Sequence, residues 1–163
     1  MFFSPDDFPF LQAMSARWRE IRAEFEAVAA EVAPWPTQEM YRGAWDVYGL
    51  YDFPHGEPLP AHIARCPITA ALIARHVPQH GAAGFSVLGP GAELEPHEGY
   101  QGPFLRAHLG LSVPPGDCGL RVQLTTRRWQ EGHWLVFDDR LEHEAWNRSA
   151  QARVVLLLDF IKR

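Results

Sequence analysis

The stretch "PHEGY" (residues 96–100) begins a metal site and leaves it unfinished. A strand carrying His-x-Asp or His-x-Glu, joined by a distant second His, presents one face of an octahedron to Fe(II). The remaining positions stay open to substrate and oxygen. His97 takes the first place in that pattern, but two residues on stands Gly99, which has no side chain to give. Glu98 is no ready substitute, because adjacent strand side chains point to opposite faces; only an irregular strand end would turn it inward. Downstream, His143 follows a turn-rich acidic stretch in "FDDRLEHEAW". Taken singly, each reads as a surface or core histidine among the eight in the chain.

Strand periodicity adds cations to the same picture. In "FLRAHLGL", Phe104, Arg106, His108 and Gly110 share one face, and Leu105, Ala107, Leu109 and Leu111 the other. The leucine face is core. An Arg and a His two residues apart on the opposite face suit a barrel interior that receives an anion. In "ARVVLLLDF", Arg153 alternates with Val155, Leu157 and Asp159. A charge opening an otherwise buried strand sits at a wet rim or reaches inward to a ligand.

These side chains need a frame. Leu11, Met14, Trp18, Ile21, Phe25, Val28 and Val32 recur at steps of three and four, which predicts one amphipathic helix with its charges, Glu24 among them, on the polar side. "SPDD" offers caps before it and "APWPT" stops it. "AWDVYGLY" reads as a strand, "FPHGEPLP" as a loop, and "CPITAALIARHV" as a second helix with Pro67 at its first position. From Gly84 the runs "GFSVLG", "FLRAHLGLSV", "GLRVQL", "GHWLVFDD" and "ARVVLLLDF" are short, β-like and separated by turn residues. With no helices between them they predict a sandwich or barrel.

The 163 residues suit one domain, and the formal charge of -5 offers no basic patch for nucleic acid. No apolar run approaches the ~20 residues of a membrane span. "MFFSPDDFPF" lacks the basic and apolar regions of a secretory signal, and Cys66 and Cys118 make neither a disulfide framework nor a zinc motif. The expected compartment is the cytoplasm. The oligomeric state stays open, since the helical stripe suits a dimer contact as well as an intramolecular one.

Taken together, "PHEGYQGPFLRAHLGL", "GHWLVFDDRLEHEAWN" and "ARVVLLLDF" closely resemble the aspartyl/asparaginyl β-hydroxylase family of Fe(II)/2-oxoglutarate oxygenases, over about the last eighty residues. "LYDFP" and "CPITAAL" extend the likeness more weakly. The resemblance implies a mainly β fold: a double-stranded β-helix (jelly roll, cupin-like) with N-terminal flanking helices. Residues 1–80 would support a core of residues 81–163 within a single domain. It implies that His97 and His143 bind iron and that Arg106 and His108 lie beside 2-oxoglutarate, Arg106 with a catalytic part. Arg153, ten residues after the second metal histidine, would pair with the distal carboxylate, assisted by Ser86, eleven residues before the first. The family lacks the acidic ligand, so Gly99 would belong to the type, with water in the vacant position. Asp138 or Asp139 either orients a metal histidine or only forms the turn.

Two neutral imidazoles leave room on iron for 2-oxoglutarate and oxygen, and an Arg grips a carboxylate with two charge-assisted hydrogen bonds. The expected reaction hydroxylates an unactivated carbon and releases succinate and CO2. Phe104 stands where members acting on peptidyl Asp or Asn carry a further Arg, which points to a small molecule such as an amino acid. The alternatives are a peptidyl Asp/Asn hydroxylase, a halogenase with chloride beside Gly99, and a non-catalytic jelly roll binding metal or oxoacid. Trp45, Trp129, Trp134 and Trp146 are expected as core or pocket walls.

Overall fold

The long alternating runs become the middle of one sheet, and the turn-rich runs become a second sheet facing it. The computed structural model describes residues 1–162. Its strands are β1 (Phe2–Phe3), β2 (Ala33–Pro34), β3 (Tyr41–Arg42), β4 (Trp45–Asp52), β5 (Glu57–Pro58), β6 (His80–Leu88), β7 (Glu93–His97), β8 (Phe104–Ser112), β9 (Cys118–Val122), β10 (Thr125–Arg127), β11 (Trp134–Phe137), β12 (His143–Asn147) and β13 (Arg153–Ile161). The larger sheet runs β1-β11-β8-β13-β6-β4-β2, with β5 against β4; the smaller runs β10-β9-β12-β7-β3. This is the mainly β jelly roll that was expected.

Alternation sorts the larger sheet's side chains into two compartments. Leu105, Ala107, Leu109 and Leu111 of β8, with Val154, Leu156, Leu158 and Phe160 of β13, face the helices and form one buried cluster with Ile21, Phe25, Val28 and Phe85. The other face of β13 and β6 supplies Val155 and Leu88 to a second cluster, which includes Leu120, Val122 and Ala145 of the smaller sheet. The candidate site lies within this second, inter-sheet layer.

The helical layer departs from the expected single helix. The stripe breaks into α1 (Gln12–Ser15) and α2 (Trp18–Val28), while Leu11 sits in a 3-10 turn and Val32 lies beyond a second one. Ser15 Oγ hydrogen-bonds back to the carbonyls of Leu11 and Gln12, competing with the helical ladder where the chain must bend. Arg17 leaves the helical region at φ -120°, ψ 27°, and α2 restarts after it. The stripe therefore follows a bent path over the sheet. The expected loop after β4 also holds structure: Glu57–Pro58 pairs with β4, and Pro60 opens α3 (Pro60–Arg65). Pro60 at a first helical position was the available signal. Pro67 opens α4 (Pro67–His76) as read.

Glu24, assigned to the polar face of the helix, has a tertiary role. Its carboxylate accepts the backbone N–H groups of Ile68 and Thr69 at 2.9 and 2.7 Å, and the Thr69 hydroxyl at 2.6 Å. It thus caps the N-terminus of α4, where Cys66 makes no side-chain cap bond. No helix among the described residues is long and apolar enough to cross a membrane. Glu24→Ala should lower stability by about 1–2 kcal/mol in urea denaturation. An unchanged midpoint would show that water replaces the cap.

Candidate active site

Strand register brings the two histidines together. His143 on β12 lies directly opposite His97 on β7, and the register slips just beyond, between His143 and Ala145. Their ring centroids are 4.3 Å apart. In each ring Nδ1 sits against the carbonyl oxygen two residues upstream: Glu95 at 2.6 Å for His97 and Leu141 at 2.8 Å for His143. A carbonyl only accepts, so both Nδ1 atoms carry the proton and both Nε2 atoms keep a lone pair for a metal. Burial lowers both pKa values, that of His143 to about 4, assisted by His97 and Arg106. Both rings are neutral at physiological pH, the ligand form.

The space beside Gly99 is filled. A β-carbon at residue 99 would lie 2.5 Å from Asp139 Oδ2 and 2.7 Å from the Asp139 carbonyl oxygen, which accepts the Gly99 N–H. Glycine is required here for room. Asp139, from the turn before β12, brings a carboxylate to the place a residue-99 side chain would occupy. Burial raises its pKa to about 6, against the pull of Arg106. Among the described residues no group of three His, Cys, Asp or Glu is arranged to hold a metal, so neither Asp139 nor Glu98 completes a three-ligand set.

The two buried arginines stand in opposite circumstances. Arg106 grips Asp159 with two bonds of 2.8 Å and lies 3.3 Å from Asp139. Burial alone would lower its pKa, yet these carboxylates raise it and hold the charge. Arg153 is 3% exposed and makes no ion pair among the described residues. One of its terminal nitrogens donates to the Ser86 hydroxyl at 3.0 Å, and its guanidinium lies over the Trp129 ring at 4.5 Å. Burial draws its pKa down to about 10, which still leaves it charged at neutral pH.

His108 completes the chamber. The Trp129 indole donates to its Nδ1 at 3.2 Å, so a neutral His108 carries its proton on Nε2. Burial, with Arg153 and Arg106 nearby, holds its pKa well below the ordinary value and keeps the ring neutral. Three buried side-chain nitrogens lack a partner among the described residues: Trp35 Nε1, His108 Nε2 and Arg153 Nε. Two belong to side chains of this chamber. Buried donors without acceptors are rare in native proteins and mark the place of a missing acceptor.

All six residues expected at the site, Ser86, His97, Arg106, His108, His143 and Arg153, line this one chamber. Its free volume is about 30 Å³. It shares Trp45, Ser86, His97, Arg106 and Leu157 with a wider cleft of about 490 Å³. A ligand that reaches Arg153 must therefore extend toward that cleft. The cleft is walled by Trp35, Trp45, Tyr51, Phe53 and Tyr100, and among the described residues its lining holds one arginine, Arg106, already paired, and no lysine. Phe53 and Tyr100, in edge contact at 5.8 Å, are 40% and 37% exposed, so aromatic surface reaches the solvent side.

Sequence reasoning missed Asp159 as the partner of Arg106, and the directed N–H groups of Trp45 and Trp129. Alternation puts Asp159 on the same face of its strand as Arg153, but the register that sets it opposite Arg106 is a tertiary fact. Asp138 is a turn residue, bound to Arg140 at 2.7–2.8 Å, which leaves Asp139 as the acid of the site.

Comparison with known proteins gives a consistent picture. Residues 15–163 match the profile of the family described as aspartyl/asparaginyl beta-hydroxylase. The ornithine lipid ester-linked acyl 2-hydroxylase of Rhizobium tropici is 37% identical, across 95% of this chain and 58% of that protein. The aspartyl/asparaginyl beta-hydroxylase of Mus musculus is 31% identical, across 91% of this chain and 21% of its own length. The chain thus spans only part of these relatives. Among solved structures, a Pseudomonas putida prolyl-4-hydroxylase shares the fold with a TM-score of 0.60, covering 91% of this chain and 88% of that one at 18% identity. From profile and relatives together, the chain belongs to the aspartyl/asparaginyl beta-hydroxylase family.

Proposed function

We propose that the protein is an Fe(II)- and 2-oxoglutarate-dependent hydroxylase acting on an unactivated carbon in an apolar part of a small-molecule substrate. The observation that carries this reading is one chamber holding two neutral imidazoles with free Nε2 lone pairs and a buried guanidinium without a carboxylate. The first feature suits a metal that keeps open positions, and the second suits an anion. Iron with 2-oxoglutarate supplies the oxidation: the oxoacid is split to succinate and CO2, and one oxygen atom of O2 enters a C–H bond.

The chain's own residues take distinct parts. His97 and His143 would hold the metal through Nε2, kept in that tautomer by backbone carbonyls. Arg153, with the Ser86 hydroxyl, would take the distal carboxylate of the oxoacid. His108 offers its Nε2–H inside the chamber, and Arg106, lining both cavities, has N–H bonds left beyond those spent on Asp159. Asp139 provides a buried acceptor on the residue-99 side. A carboxylate there disfavours chloride by like-charge repulsion, so hydroxylation is preferred to halogenation. A scaffold that binds nothing has no use for an unpaired buried cation beside this histidine pair, and a module that only binds metal or oxoacid is separated from the enzyme by oxygen- and iron-dependent release of succinate.

The cleft bears on the substrate. An acidic peptide side chain would need a free cation, but Phe104 carries none and Arg106 is committed to Asp159 and Asp139. A free amino acid meets the same difficulty with its carboxylate. Aromatic walls favour an apolar chain. The rhizobial relative, named for hydroxylating an ester-linked acyl group, is of that kind.

Under anaerobic conditions, Fe(II) and 2-oxoglutarate added together should give the weak visible charge-transfer band of the chelate. His97→Ala and His143→Ala should each abolish both band and turnover; retention in both variants would sink the assignment. Arg153→Ala should raise the half-saturating 2-oxoglutarate concentration about a hundredfold or more. An unchanged requirement would mean that another cation holds the carboxylate.

A further inference from the structure

Trp45 was expected only as a wall, yet its indole reaches the centre of the anion-binding group. On β4, Val47 lies directly opposite Ser86 of β6 and Trp45 opposite Leu88, so all four share a face and Trp45 is diagonal to Ser86. Trp45 Nε1 donates to Ser86 Oγ at 2.9 Å. The same oxygen accepts from Arg153 at 3.0 Å.

A serine hydroxyl has two acceptor lone pairs and one proton to donate. Here both lone pairs are engaged by groups that only donate, indole and guanidinium. The remaining direction around Oγ belongs to the proton, for which no acceptor is present among the described residues. Ser86 is 3% exposed, lines the chamber, and is held as a donor by its two neighbours. Arg153 alone would leave one lone pair free, and the hydroxyl could then turn that side to the chamber. A lone pair there would repel a carboxylate.

We infer that Trp45 is a positioning residue for the anion end of the site: its indole N–H fixes Ser86 as a hydrogen-bond donor toward the carboxylate that Arg153 takes. The inference rests on the 2-oxoglutarate reading given above. Trp45 is itself braced, stacked on Trp35 at 5.0 Å and 27° and edge-on to Tyr41 at 5.6 Å. Its donor direction is therefore set by packing before any ligand arrives, so that binding need not order it.

The test compares two chelators of the Fe(II)-loaded protein. 2-Oxoglutarate is titrated by its visible band, and oxalate, which lacks the distal carboxylate arm, by competition for that band. Trp45→Phe keeps an aromatic ring against Trp35 and Tyr41 and removes the N–H. It should weaken 2-oxoglutarate about tenfold while leaving oxalate affinity unchanged. Ser86→Ala should weaken 2-oxoglutarate by a similar factor, and the double variant should add little, because one residue acts through the other. If Trp45→Phe folds poorly, a benzothiophene analogue at position 45 removes the N–H while keeping the indole's shape. Equal weakening of both chelators, fully additive losses, or no loss would overturn the inference. If the native protein binds oxalate but not 2-oxoglutarate, the cosubstrate reading falls and this inference with it.

Discussion

A guanidinium buried without a carboxylate is the constraint around which this site is arranged. Taking an ion out of water costs several kcal/mol even after relaxation, and Arg153 has only partial compensation: the Trp129 ring face, the Ser86 hydroxyl and a Ser86 carbonyl. The same burial, together with this charge, keeps His108 neutral. With Trp129 donating to its Nδ1, neutrality makes the other nitrogen of His108 a donor. One unneutralised cation thus helps fix the protonation of its neighbour and leaves His108 Nε2–H and Arg153 Nε–H in want of an acceptor among the described residues. Arg106 shows the alternative in the same layer. Asp159 and Asp139 neutralise it, and it stands as a rigid wall between chamber and cleft.

The histidine pair depends on register in place of charge. An antiparallel pair puts His97 and His143 opposite each other, and the upstream carbonyls orient both rings without help from any side chain. That economy explains how the pair works with little around it in sequence. Gly99 follows from the same packing. The turn carrying Asp139 passes so close that its backbone accepts the Gly99 N–H at 2.7 Å. Any side chain at residue 99 would displace the carboxylate already there. The missing ligand and the incoming acid are two sides of one close approach.

The legible parts of this protein were those encoded by alternation. The faces of β8 and β13 follow from period two, which sets Arg106 and His108 opposite the leucines and leaves Arg153 either at the rim or turned inward. Pro67 marked α4 because a proline has few other comfortable places near a helix. What remained hidden depends on distance. Nothing in the sequence spacing of Arg106 and Asp159 says that their strands are neighbours in that register. The tryptophans read as walls because their bulk is a sequence property, whereas the aim of an indole N–H is a tertiary one. The helical stripe carried no mark of its break, which shows only in the back-bonding of Ser15 to Leu11 and Gln12. Glu24 reads as a charge on the helix's polar side, yet α4 begins on its carboxylate.

Three of the six site residues, Ser86, His97 and Arg106, line both the chamber and the cleft. The wide cleft is aromatic, and its one arginine among the described residues is paired; the six residues that converge on the chemistry line a chamber of about 30 Å³ behind it. The two volumes divide the work by polarity. Unpaired donors are deep, where water is scarce and a charge-assisted bond is strongest. Apolar surface is outermost, with Phe53 and Tyr100 reaching the solvent side. Trp45 belongs to both spaces, its ring stacked on the cleft wall and its N–H bound to Ser86 inside. Through Trp45 the cleft's aromatic lining and the chamber's hydrogen bonds form one connected structure, and on the proposed reading a substrate lying against that stack would touch the residue that orients Ser86.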